Sequence, residues 1–170
     1  MRKFFFIFTC VIILSFLFGC GKGSPDPGSV EKLAEDFVFA FVRDDYSSLK
    51  KCFLNESDLR YLYSLSDNSS EKDIEEMVHS LQTEFFPSMY ENYKEERSVA
   101  EKYKIIPEKV KITKCEYEIS TEDNIEVTDL HIEFTDDKTR SFSLDLVDCV
   151  KTEENWKVAF SFSFSKGAGP

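Results

Sequence analysis

The residues in this chain able to do chemistry are few: two histidines, a handful of cysteines and one run of alternating acids. His79 follows Val78 on a strongly periodic apolar stripe but lies off that stripe, which predicts a boundary or exposed position. His131 stands between Leu130 and Ile132 in an alternating segment, so it points away from the apolar face they define. No GxSxG, HExxH or glycine-rich phosphate loop accompanies either histidine. Cys52, Cys115 and Cys149 each sit in an apolar pattern and read as small buried hydrophobes. With no CxxC pair and no Cys/His cluster, neither structural zinc nor thioredoxin-type redox chemistry is indicated. Three thiols allow at most one intramolecular bridge. Asp67, Ser69, Glu71 and Asp73 alternate faintly as a calcium loop does, but the glycine and terminal glutamate that such a loop needs are out of register. Helix capping explains the same stretch, with Ser70 as N-cap and Asp73 three residues on. No catalytic, cofactor-binding or metal-binding residue is assigned from these patterns.

The elements that would position these groups divide the chain into helices followed by strands. Val30, Leu33, Ala34, Phe37, Val38 and Phe41 form one helical stripe, capped by Ser29. Asp44-Asp45 interrupts it, and Tyr46, Leu49, Cys52 and Phe53 continue as a short second helix. A third helix is predicted over 57–65, then a loop and cap over 66–70. Ile74, Met77, Val78, Leu81 and Phe85 share a face, and Pro87 bends or restarts that helix before it runs on towards Tyr103. After Ile106-Pro107 the period becomes two. Inward parity switches near Thr113-Lys114 and again between Val127 and Leu130, as β-bulges produce. Asp136-Asp137-Lys138 and Glu153-Glu154-Asn155 are turns. Phe142, Leu144 and Leu146 alternate, and Trp156, Val158, Phe160, Phe162 and Phe164 predict one apolar face on the last strand. The reading is α+β: N-terminal helices packed on a curved antiparallel meander of about four strands.

The first thirty residues give an address. Met1-Arg2-Lys3 is a basic start, and residues 4–18 are apolar except at Thr9, Cys10 and Ser15. An apolar core of roughly 7–15 residues after a basic start is the secretory-signal pattern, while a spanning helix needs about 20. Leu17-Phe18-Gly19-Cys20 resembles the lipobox of bacterial lipoproteins, with Phe18 where a smaller residue is usual. That resemblance implies a thioether-linked diacylglycerol on Cys20, cleavage before it, and an acyl group such as palmitate on the new amino terminus. An ordinary signal peptide with an incidental cysteine is the competing reading. The expected organisation is a lipoprotein signal peptide at 1–19, a lipidated cysteine with flexible tether at 20–28, one α+β domain at 29–165 and a disordered tail at 166–170.

Beyond Cys20 lie 150 residues, enough for one domain with its own core. Losing Arg2 and Lys3 with the leader leaves 19 basic residues of 21 against 32 acidic ones, a net charge of −13. So acidic a domain repels nucleic acid and anionic lipid surfaces, and neither is expected as a partner. Eleven of the seventeen phenylalanines lie beyond the leader and mostly build core. A subset lining a cavity would take an apolar or lipid-like ligand. The Phe-Ser alternation at the end would let the last strand pair with a partner or a second copy.

Val30-Glu31-Lys32-Leu33-Ala34-Glu35-Asp36-Phe37 followed by Asp44-Asp45-Tyr46-Ser47-Ser48-Leu49, and the closing Glu154-Asn155-Trp156-Lys157-Val158, resemble small lipoproteins with a nuclear-transport-factor-2-like, cystatin-like domain. The resemblance implies a cone-shaped domain: a curved sheet wrapped around helices over an apolar cavity. Members of that fold include ligand-binding modules and isomerases. The expectation is therefore a non-enzymatic binding or interaction module in the cell envelope. It would face the periplasm or the cell surface and meet membrane lipid through Cys20, with an envelope protein or apolar ligand as partner. The alternative is a small enzyme or carrier, isomerase-like, with Asp129 pointing inward beside Tyr63, Tyr90 or Tyr117.

Overall fold

The computed structural model describes residues 26, 28–65 and 70–167. The expected leader, Cys20, most of the tether, Asp67, Ser69 and the last three residues lie outside the described residues. Just before the first helix stands Gly28, whose φ of +77° and approach to the Glu154 carbonyl leave no space for a Cβ. Lys151 Nζ donates to the Gly28 carbonyl at 2.8 Å, tying this entry point to the last turn.

Helix α1 (Val30–Val42) buries the whole predicted stripe, and Ser29 Oγ caps it by accepting the Lys32 N–H at 3.1 Å. The chain then reverses through Asp44, at φ +59°, held by Tyr93 and Arg97. Asp45 caps α2 (Tyr46–Leu49), which tightens into a 3₁₀ turn at Lys50–Cys52. Helix α3 (Glu56–Ser64) starts one residue earlier than predicted, where Asn55 caps it in a reciprocal box with Asp58. Helix α4 (Glu71–Ser80) carries the Ser70/Asp73 box that the sequence offered. Between α4 and α5 (Phe86–Glu101) lies one π-helical stretch, Leu81–Phe85, in which the Phe86 N–H donates to the Leu81 carbonyl. Pro87 explains it: a proline ring clashes with the carbonyl four residues back, and one wider turn relieves that clash without stopping the helix.

Five antiparallel strands follow: β1 (Lys111–Tyr117), β2 (Ser120–Glu122), β3 (Ile125–Thr135), β4 (Ser141–Lys151) and β5 (Trp156–Lys166). They form an open sheet in the order β1-β3-β4-β5, with β2 beside the start of β3. The extra short strand was missed in the sequence. Its signal is Asp123-Asn124, both at positive φ, the two-residue turn that closes a tight hairpin. Register breaks fall between Ile112 and Lys114 and between Thr128 and Leu130, where the apolar parity changes.

A third break, between Val147 and Cys149, corrects the reading of the last strand. There Leu146 pairs with Phe162 and Cys149 with Val158, so three steps on β4 face four on β5. The detour turns Phe160 out to 64% exposure, while Phe162 and Phe164 stay buried. The core is aromatic: Phe162 lies 5.0 Å from Phe37 and 6.0 Å from Phe41 between ring centroids, and Phe142 stacks on Phe164 at 5.7 Å. Leu54, Leu59, Leu62 and Leu81 make a second cluster, packed against Ile125, Val150 and Ala159.

The outer edge of β5 is occupied. Asn92 Oδ1 and Glu96 Oε2, one turn apart on α5, accept the N–H groups of Phe162 and Phe164 at 3.4 and 3.0 Å. The Leu54 N–H donates to the Val158 carbonyl at 3.3 Å. The strand expected to offer its edge to a partner therefore has these groups satisfied within the domain.

Candidate functional site

The groups singled out in the sequence are not brought together. His79 is exposed on α4, and its carbonyl accepts the Thr83 hydroxyl. His131 faces outward on β3, with Nδ1 2.6 Å from Asp145 Oδ1 and Nε2 3.6 Å from Glu133. The hydrogen bond to Asp145 raises its pKa above that of a free imidazole. Ser163 pairs with Asp145 across the next strand, so the row reads His131, Asp145, Ser163. A proton relay to a serine needs the histidine in the middle, and here the aspartate is there.

Asp129 is exposed rather than inward, which corrects the orientation an isomerase-like site requires. Its Oδ1 accepts the Asp148 N–H at 2.9 Å, clipping the two neighbouring bulges together. Tyr117 donates to Glu31, and Tyr90 packs at 4.9 Å against Tyr46. None of the tyrosines considered shares a hydrogen bond with Asp129 among the described residues.

Cys52, Cys115 and Cys149 are free thiols. Burial pushes Cys52 and Cys115 up to about 12 and Cys149 higher still. At neutral pH they carry almost no thiolate, the form that attacks or binds metal.

What the fold does build is a basic cleft of about 360 Å³ between the end of α2, the start of α3, the front of α5 and β5. Its walls carry Lys50, Lys51 and Lys157, with Ser47 and Asn55 between them, above a floor of Phe53 and Phe86. Local structure explains each placement. The 3₁₀ turn fans Lys50 and Lys51 outward while Cys52 and Phe53 go to the core. Residue Phe53 bridges in parallel to Val158, which brings Lys157 alongside. Lys157 Nζ donates to the Lys51 carbonyl at 2.6 Å, and Lys50 Nζ lies 4.3 Å from the Phe86 ring centre. The Asn55 Oδ1 is taken by the N–H groups of Ser57 and Asp58, which leaves its amide N–H₂ as a donor. Among the described residues none of the three lysines makes a close ion pair, although the charge of Lys51 reaches Asp45. An adjoining furrow of about 560 Å³ adds Arg60, Ser57 and Gln82, and its one acid, Glu56, is held by Arg60 at 3.1 Å.

No protein-family model, no curated protein and no solved structure matches this chain. The cleft must therefore be judged on its own chemistry. Its polar lining offers ammonium, hydroxyl and amide donors and no carboxylate. Such a set attracts negative charge. Among the described residues no three His, Cys, Asp or Glu side chains converge as a metal would require, and no helix is long and apolar enough to cross a membrane. The sequence reasoning missed this cleft because Lys51 and Lys157 stand 106 residues apart and neither belongs to a motif.

Proposed function

We propose that this chain is a cell-envelope lipoprotein, held to a bacterial membrane by acyl chains on Cys20, whose domain serves as a non-enzymatic binding module. The observation that carries the reading is the run from Met1-Arg2-Lys3 through the apolar core to Leu17-Phe18-Gly19-Cys20, broken at once by glycine, serine and proline. Each buried methylene contributes about 0.8 kcal/mol, so two or more acyl chains hold the protein stably. The Gly/Ser/Pro tether then carries the domain off the bilayer. Helices followed by an antiparallel open sheet are compatible with a nuclear-transport-factor-2-like shape. A binding role is supported by the outward-opening basic cleft.

Metabolic labelling with an alkyne palmitate tests the anchor directly. Wild-type chain should take up label and sediment with membranes, and globomycin should accumulate the unprocessed form. Cys20→Ala should lose both label and processing. A Cys20→Ala chain that matures normally and stays on the membrane would refute the proposal.

A further inference from the structure

We infer that the Lys50/Lys51/Lys157 cleft is a binding site for a small organic anion, a phosphomonoester or carboxylate carried on an apolar body. The inference deepens the binding-module reading and rests on it.

The chemistry of the walls sets the charge of the ligand. Lys50, Lys51 and Lys157, with Ser47 and Asn55, line one open depression of about 360 Å³. The other half is set by Phe86, whose half-buried ring lies beside the charged rim and under Lys50, while Phe53 is buried beneath it. Much of the rim is ordered before any ligand arrives. Lys157 is held by the Lys51 carbonyl, Lys50 by the Phe86 ring, and Asn55 by its capping duty. A ligand therefore loses little affinity to ordering these side chains.

The size of the ligand follows from the charge elsewhere. A polyanion, whether nucleic acid or an anionic bilayer, would meet the surrounding acidic surface along with the cleft. A small anion seated among the lysines is screened from distant carboxylates, because the Debye length is about 8 Å at physiological ionic strength. The same field that repels a large anionic surface leaves the cleft open to a small one.

The test uses the full lipidated chain in dodecyl maltoside, followed by amide chemical shifts during titration with phenyl phosphate, inorganic phosphate or micelles doped with phosphatidylglycerol. Phenyl phosphate should saturate with shifts confined to Ser47, the Lys50 to Asn55 segment, Phe86 and Lys157. Inorganic phosphate, lacking the ring, should bind the same residues more weakly. Asn55→Asp keeps the helix cap, since aspartate caps as well as asparagine, but puts a carboxylate where the donor was. It should weaken phenyl phosphate at least tenfold with an unchanged fold, and Lys50→Gln should do likewise. Unsaturable shifts spread over lysines generally, or equal binding by Asn55→Asp, would overturn the inference. Response to the doped micelles alone would also overturn it, making the cleft a headgroup patch. A chain that fails here but is still palmitoylated at Cys20 loses this inference and keeps the anchor.

Discussion

Replacing Phe160 or Phe162 by alanine removes the same atoms from neighbouring like-parity positions on β5, yet the structure requires opposite outcomes. Phe162 is 2% exposed and its ring lies 5.0, 6.0 and 6.3 Å from those of Phe37, Phe41 and Phe53. Truncation there leaves a cavity in a close-packed aromatic core, which costs about 3–5 kcal/mol. Against a typical total of about 5–15 kcal/mol, that is a large share. Phe160 is 64% exposed, and truncation at such a site changes stability by about 0.5 kcal/mol at most. With a urea slope of roughly 2 kcal/mol/M, the midpoint falls by about 1.5–2.5 M for Phe162→Ala and by less than about 0.25 M for Phe160→Ala. Trp156, the one tryptophan and itself buried, gives a fluorescence signal for the titration. Should Phe162→Ala not fold, Phe162→Leu keeps most of the volume and should lose roughly 1–2 kcal/mol. Equal losses at the two positions would refute the third bulge and restore plain alternation along β5.

Glu96→Ala removes a charged acceptor from the Phe164 N–H and should cost about 1–2 kcal/mol, with Asn92→Ala costing less. The freed edge should also raise light scattering in the double variant, and a monodisperse double variant with an unchanged urea midpoint would contradict the edge-capping argument. Asp136 has a fully buried side chain that receives Arg140 and the N–H groups of Lys138 and Arg140, while Arg140 also reaches the Tyr103 carbonyl at 2.6 Å. Burial alone would raise its pKa, but these donors outweigh it and hold the carboxyl below its usual range. Its stabilisation is therefore present above the unfolded value of about 3.9 and lost as pH falls through the lower folded one. Asp136→Ala should lose about 2–3 kcal/mol at pH 7, and the gap from wild type in urea midpoint should shrink as the pH falls below about 3.9. His131 has the opposite sign: its contribution is present below about pH 6.5 and fades as pH rises through its raised folded value. The half-exposed pair with Asp145 keeps that contribution small. An imidazole NMR titration of His131 should give a value above 6.5 that falls in Asp145→Asn, and an unmoved value would argue against the pairing.

Where burial imposes a period, the fold was legible residue by residue. The α1 stripe, the Ser29 and Ser70 caps and the first two sheet irregularities all leave marks in the apolar pattern. The third bulge leaves none on β5, because its detour takes four steps there and so returns Phe162 to the parity of Val158. Only β4 shows the shift, as Leu146 gives way to Cys149, and a small residue such as cysteine is a faint marker of a face. The π turn was hidden for a related reason. Pro87 announces a problem in the helix, but a kink, a restart and a wider turn all answer it.

The cleft escaped pattern reading on physical grounds. Exposed lysines bury nothing, so no period marks them, and long-range pairing alone decides which of them meet. Here one backbone event makes the meeting: Phe53 leaves the 3₁₀ turn and bridges to Val158, setting Lys50 and Lys51 beside Lys157. The same two residues are buried in the core, so the geometry of the rim is coupled to packing beneath it. A charged cluster on a mobile loop would adapt to many ligands. One fixed through Phe53 and Val158 has a shape of its own, so any ligand it took would be selected by shape as well as by charge.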